Sequence, residues 1–341
     1  MNPAISVVMP VRNGEETIEA ALESVLTQEF ESFEVVVVDH ASTDRTPQIL
    51  SALSQAHPHL HITRCEGTFV EAANLAWRKA RAPLIARMDA DDLARPQRLQ
   101  RQKDFLDRHP ELVACGSLVH IRKRDSSGRL ILADGGYQRY EKWINTRISP
   151  KQVEIQRFVD SPLPNPSAMI RRDALEKIGG YEDPAWAEDY DLWLRILERG
   201  WKLGKVDEVL LDWIDAPDRS TRNLDRYALS EFQKAKAHYL ARIPAVQEKG
   251  IVISGAGPIG KEFALLLLGQ GVRIHSFLEV NPRQIGNRIH DIPVLPAEAI
   301  SDCPARRVVL GAAGQPGARD RIRDLASDAG MIEGKDFFSI A

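Results

Sequence analysis

A chain of 341 residues, 43% apolar and 27% charged, has the make-up of an ordinary globular protein of about two domains. Its net charge of −3 leaves no basic footprint for a nucleic-acid partner. The three cysteines, Cys65, Cys115 and Cys303, are odd in number and far apart, which excludes a disulfide framework or a zinc spacing and fits a reducing cytosol.

The start, MNPAISVVMPVRNG, lacks the basic and apolar regions of a signal peptide, and the longest apolar run, at 263–268, is far too short to span a bilayer. A cytoplasmic protein is expected, and a peripheral contact at the inner face of a membrane is compatible with that. Strands and helices then alternate. Ile5 to Met9 is a short apolar run stopped by Pro10, hence a buried strand. Thr17 to Thr27 carries Ile18, Ala21, Leu22, Val25 and Leu26 at helical spacing. A β-branched strand follows at 34–40, a helix at 46–56 with Pro47 in its first turn, a strand at 59–63, a helix at 70–79 and a strand at 83–89. Repeated β-α-β units imply a mostly parallel sheet, whose ligands bind beyond the carboxyl ends of the strands. Pro10 to Asn13, Asp39 and the cluster Asp89-Ala90-Asp91-Asp92 all fall at such ends. Carboxylates at i and i+2 on extended backbone point the same way and suit Mg²⁺ or Mn²⁺. A solvated acidic loop or helix N-terminus accounts equally well for that cluster taken alone.

Residues 125–165 read as loops covering a cleft. Glu188 to Arg199 reads as a helix stopped by Gly200. A linker is expected around Arg242 to Glu248, dividing the chain into domains at 1–243 and 249–341. In the second, Gly255-Ala256-Gly257-Pro258-Ile259-Gly260 fits G-x-G-x-x-G between a strand and a helix, and Glu279 ends the next strand, where an acid would hold a ribose.

The ordered stretches VVMPVRNGEETIEAALESVLTQ, EVVVVDHASTDRT, RMDADD and GGYEDPAWAEDYDLWLRI resemble the successive motifs of family 2 glycosyltransferases over roughly residues 4–225. The resemblance implies an α/β protein with an inverting GT-A nucleotide-sugar domain, followed here by a small Rossmann-like domain. It places Pro10, Val11 and Asn13 against the nucleotide, and Asp39 on the base N–H. Asp89 would lie near ribose and metal, Asp91 would be the direct ligand of Mg²⁺ or Mn²⁺, and Asp189 of the Glu188-Asp189 pair would be the general base. Arg219 would touch the diphosphate, with solvated charge as the alternative. Trp186 would stack on an acceptor sugar, or serve as core. Asp191 and Asp92 read as structural, Asp92 bracing the turn. Where relatives have Asp, Gly or Asn after the strand-end aspartate, this chain has His40 and Ala41, and His40 reads as a plain loop histidine.

The expected activity is transfer of one sugar from a nucleotide-sugar donor, foremost a UDP-sugar, to a hydroxyl of a glycan or lipid-linked glycan. The setting implied is cell-surface polysaccharide or lipopolysaccharide synthesis, and a homo-oligomer is compatible with it. Two alternatives have other centres. One is an NAD-dependent oxidoreductase or epimerase built on Gly255, Gly257, Gly260 and Glu279. The other is a non-catalytic sugar-nucleotide sensor.

Overall fold

The computed structural model describes residues 2–125, 127–215, 225–303, 306–315 and 317–341. The chain forms two compact units. The first comprises Met1–Val153, Pro162–Pro184 and Glu188–Leu224, the second Glu154–Ser161, Ala185–Ala187 and Asp225–Ala341.

The first unit is built on β1 (Ile5–Val11), β2 (Phe33–His40), β3 (Leu60–Cys65), β4 (Leu84–Arg87), β5 (Leu93–Ala94), β6 (Leu112–Arg124), β7 (Leu130–Leu132), β8 (Met169–Arg171) and β9 (Lys202–Asp215). Their order is β3-β2-β1-β4-β8-β6-β9-β5, with β7 beside β6. The first four run parallel, as the alternating pattern requires. β8 runs antiparallel to both β4 and β6, and β6 pairs in parallel with β9. The apolar runs of β1 and β2 are continuous because both faces are covered. Val7, Met9, Val35 and Val37 pack in one core with Ile18 and Leu22. Val8, Val36 and Val38 pack in the other with Val70, Trp77 and Trp193. The helix Phe69–Lys79 starts at a capping box in which Thr68 and Glu71 satisfy each other's backbone N–H groups.

The stretch read as cleft-covering loops is different. It holds β7 and the helices Gly135–Asn145 and Pro150–Ile155. The first buries only Ile144 and the second only Val153, so neither shows an apolar stripe wide enough to reveal a helix.

The second unit carries β10 (Ile251–Ser254), β11 (Ile274–Glu279), β12 (Arg288–Ile289), β13 (Ile292–Pro296), β14 (Val308–Gly311) and β15 (Phe337–Ser339). The order is β12-β13-β11-β10-β14-β15, parallel except at the β12 edge. The central β10 thus has later strands on both sides, the doubly wound arrangement expected after a glycine turn. The helix Pro258–Leu268 follows with proline in its first turn. It buries Phe263, Ala264 and Leu267 and exposes Leu265 and Leu268. Among the described residues no helix is long and apolar enough to cross a membrane.

Gly260 packs so closely on the turn that a Cβ there would overlap the Gly255 carbonyl oxygen. That neighbour is backbone and cannot rotate away. Gly260→Ala should therefore cost ~3 kcal/mol in urea unfolding of the chain. An unchanged midpoint would show that the turn gives way freely.

Candidate active site

Strand register brings the predicted residues together. Val11 pairs with Asp39 across β1 and β2, and Val8 pairs with Arg87 across β1 and β4. The loop after β1 is tied to the loop after β2 by a set of hydrogen bonds. Asn13 N–H donates to Ser42 Oγ at 2.9 Å, Thr43 N–H to Asn13 Oδ1 at 2.9 Å, Gly14 N–H to Thr46 Oγ1 at 2.8 Å and Glu15 N–H to Asp44 at 3.0 Å. Asn13 is held at φ 52°, a conformation asparagine tolerates better than most residues. Asp39 is buried; Oδ1 accepts from Ser42 N–H at 3.0 Å, and Arg64 lies 3.4 Å from Oδ2.

His40 is not a plain loop residue. It is the last residue of β2, buried, with Nε2 2.5 Å from the Gly67 carbonyl. Ala41 then takes φ 51°, a left-handed conformation to which glycine or asparagine is better suited.

The acidic turn follows β4. One carboxylate oxygen from each of Asp89, Asp91 and Asp92 lies within 4.8 Å of the others. Asp92 is fully buried and accepts from the Ile214 N–H at 2.8 Å, so it pins the turn to β9. Asp89 is held by Arg87, Nη2 to Oδ1 at 2.5 Å. Beneath them the buried Arg98 donates to the Arg87 carbonyl at 2.6 Å and to Gln102 at 3.1 Å. Burial lowers its pKa to about 10, against the pull of Asp92. The oxygen-only donor set, two carboxylates two residues apart beside a braced third, fits a divalent cation that keeps waters and takes substrate phosphates.

The acid pair opens the helix Glu188–Glu198, which buries Leu192, Trp193 and Ile196. Asp191, expected to be structural, is buried. It accepts from Arg195 Nε at 2.6 Å, and Arg195 also holds the carbonyls of Ile178 at 3.2 Å and Gly180 at 2.8 Å. The Gly179-Gly180-Tyr181 turn has its own reason for glycine. Gly180 sits at φ 79°, and a Cβ there would strike Asn74 and Trp77. Asn74 uses that space to clasp Tyr181, accepting from its N–H at 3.0 Å and donating to its carbonyl at 2.8 Å. Tyr181 then donates its hydroxyl to Asn165 at 3.1 Å.

A position in the first helical turn would favour a charged Asp189. Burial, with Glu188 beside it and Asp89 beyond, outweighs that preference and raises its pKa to about 7. Arg87 acts in the opposite direction. This arginine was not among the expected site residues. It is 2% exposed and within electrostatic reach of Asp89, Tyr181 and Glu188, which hold it charged against the cost of burial. Its only trace in the sequence is a cation inside an otherwise apolar strand, LIAR, immediately ahead of the aspartates.

Trp186 belongs to the second unit, half-buried, its ring 5.3 Å from that of His238. Arg219 lies outside the described residues. Gly255, Gly257 and Gly260 form the turn of the second unit. There the Glu279 carboxylate accepts from Ala256 N–H at 3.0 Å, Val280 N–H at 2.8 Å and Asn281 N–H at 3.1 Å.

The family profile described as Glycosyl transferase family 2 matches residues 6–179. The O-antigen biosynthesis glycosyltransferase WbnJ of Escherichia coli is 29% identical over 196 residues, 57% of this chain and 71% of its own length. S. aureus TarS 1-349 in complex with UDP-GlcNAc matches with a TM-score of 0.53 at 18% identity, over 79% of this chain and 72% of that one. The mannosyltransferase PcManGT from Pyrobaculum calidifontis, in complex with GDP-Man and Mn²⁺, matches with a TM-score of 0.50 at 21% identity, over 80% and 74%. At such identities the two structures speak for the fold alone.

Proposed function

The chain belongs to glycosyl transferase family 2, and from that premise we propose that it moves one sugar from a nucleotide-sugar donor to an acceptor hydroxyl with inversion, assisted by Mg²⁺ or Mn²⁺. The observation that carries this reading is the cluster of three carboxylates that follows β4, at the carboxyl end of the parallel strands, with Asp89 held by the buried Arg87 and within electrostatic reach of Asp189. Pro10, Val11 and Asn13 line the nucleotide, and Asp39 accepts from the base N–H. Asp91 and Asp89 hold the cation. When bound, that cation offsets the charge gathering on the departing diphosphate. Asp189 takes the proton from the acceptor hydroxyl, whose oxygen bonds to the anomeric carbon as the bond to the diphosphate breaks. A carboxylate that gives up its proton near pH 7 is well matched to that task. Glu188 keeps the pair's proton affinity high.

Among the donors named in related structures are UDP-GlcNAc and GDP-Man, and a UDP-sugar is the donor proposed here. The O-antigen relative supports a cell-surface glycan as the destination, with the enzyme working from the cytoplasmic side. In the second unit Glu279 fastens its own turn, which favours a packing role for Gly255, Gly257 and Gly260 over a dinucleotide site.

A thermal-shift screen of nucleotide sugars with and without Mn²⁺ tests the proposal. At about 100 times its Kd the true donor adds ~2.7 kcal/mol of stability, several degrees of melting temperature, and does so only with the cation present. A panel of uridine and guanosine diphosphate sugars that leaves melting unchanged would sink the reading.

A further inference from the structure

The turn Asn165–Ser167 is fastened beside the end of β4, within the first unit. Arg87 N–H donates to the Ala168 carbonyl at 2.8 Å, and Ala168 N–H to the Asn165 carbonyl at 3.0 Å. The Gln102 amide donates to the Ser167 carbonyl at 2.7 Å, and the Ser167 hydroxyl to the Pro164 carbonyl at 2.8 Å. On this fixed turn Asn165 is 8% exposed. Its Oδ1 accepts from the Tyr181 hydroxyl at 3.1 Å, and its Nδ2 finds no acceptor among the described residues.

Asn74 shows the contrast. It is 7% exposed and uses both ends of its amide. Oδ1 accepts from Trp77 Nε1 at 2.8 Å and from Tyr181 N–H at 3.0 Å, and Nδ2 donates to the Tyr181 carbonyl at 2.8 Å. Buried polar groups are ordinarily met in this way, because an unmet donor keeps its desolvation cost. Holding Tyr181 asks only for an oxygen, so the nitrogen of Asn165 has no structural task.

The surroundings say what that nitrogen meets. Its backbone ties Asn165 to β4, which leads into the acidic turn. Its side chain ties it to Tyr181, whose hydroxyl lies within electrostatic reach of Asp89 and Asp189. In the transferase reading Asp89 serves the diphosphate and Asp189 the acceptor, and the sugar that changes hands lies between them. An amide nitrogen donates and cannot ligate a cation, so a neutral oxygen suits it. We infer that Asn165 is a specificity-determining residue of the donor site, whose Nδ2 donates to a hydroxyl oxygen of the sugar being transferred. This rests on the transferase reading above.

The test sets sugar against no sugar. Parent and Asn165→Ala are titrated, with Mn²⁺ present, with the uridine and guanosine diphosphate sugars of the thermal-shift panel and with bare UDP and GDP. In Asn165→Ala the affinity for the sugar nucleotide that the parent binds should fall ~10-fold, the worth of one hydrogen bond, while that for the matching bare diphosphate stays within about twofold. A folded variant that weakens both alike, or neither, overturns the inference. A raised acceptor KM with parent-like affinity for the sugar nucleotide also overturns it, because the amide would then face the acceptor. If Asn165→Ala does not fold, Asn165→Ser decides by the same titrations, since its shorter side chain withdraws the donor; an unchanged preference for sugar over bare nucleotide overturns the inference. A parent protein that binds nothing in the panel sinks the transferase reading, and this inference with it. A parent that binds, beside a variant that discriminates as the parent does, sinks this inference alone.

Discussion

Asp189→Asn should abolish turnover while leaving donor binding intact. The asparagine has nearly the same shape and cannot take a proton from the acceptor, so kcat should fall ~10³-fold or more. The donor Kd, read by titration with Mn²⁺ present, should stay within about threefold. In the parent protein the rate should rise with pH as Asp189 ionises, through about pH 7. The same group makes an opposite prediction for stability. Burial and Glu188 raise its pKa in the folded chain. Well below pH 4, Asp189 is protonated in both folded and unfolded states and contributes nothing. Above that the unfolded chain ionises first, and the folded chain loses stability until about pH 7, beyond which the penalty is complete. Asp189→Asn removes the penalty. At pH 8 it should be more stable than the parent by ~2 kcal/mol, a value discounted because Asp189 is partly exposed, and the gain should vanish well below pH 4. An inactive variant with no such gain would mean that Asp189 is not held in a charge-averse site. A variant with appreciable turnover would remove it from the base role.

Asp91→Ala should separate the donor from its cation. Asp91 is the proposed main ligand, two residues from Asp89 in a cluster that brings one carboxylate oxygen each from Asp89, Asp91 and Asp92 within 4.8 Å of one another. At saturating Mn²⁺ the variant should bind donor ~100-fold more weakly than the parent, about 2.7 kcal/mol. With EDTA the two proteins should bind donor alike, because the lost term is the one the metal supplies. Titration of donor in both conditions reads this directly. Equal weakening with and without metal would mean that Asp91 supports the fold of the turn. Parent-like affinity in Mn²⁺ would remove it from the metal site.

Much of the first unit was legible because its signals are local. The helix Thr46–Ala56 lies where Pro47 and its apolar spacing place it, and β1, β2 and β4 are runs that only a sheet covered on both faces accommodates. The carboxylates could be ordered along the chain for the same reason: each ends a strand or opens a helix. Residues 135–155 were missed because helices that bury one side chain apiece leave no period to read. His40 was misread because a strand-end histidine bonded to Gly67, 27 positions away, looks like a loop histidine in isolation.

The sequence by itself determined the alternation that makes a parallel sheet, the strand-end placement of Asp39 and Asp89, and the glycine turn of the second unit, since all of these depend on neighbours a few residues apart. Tertiary structure alone decided what the charges do. Sheet order and the antiparallel β8 shape the first unit in which Arg87, Asp89, Tyr181 and the acid pair interact. Grouping Ala185–Ala187 with the second unit takes Trp186 to His238. A proton affinity such as that of Asp189 follows from how little water reaches it and which distant charges share its surroundings, and neither leaves a periodic mark along a chain.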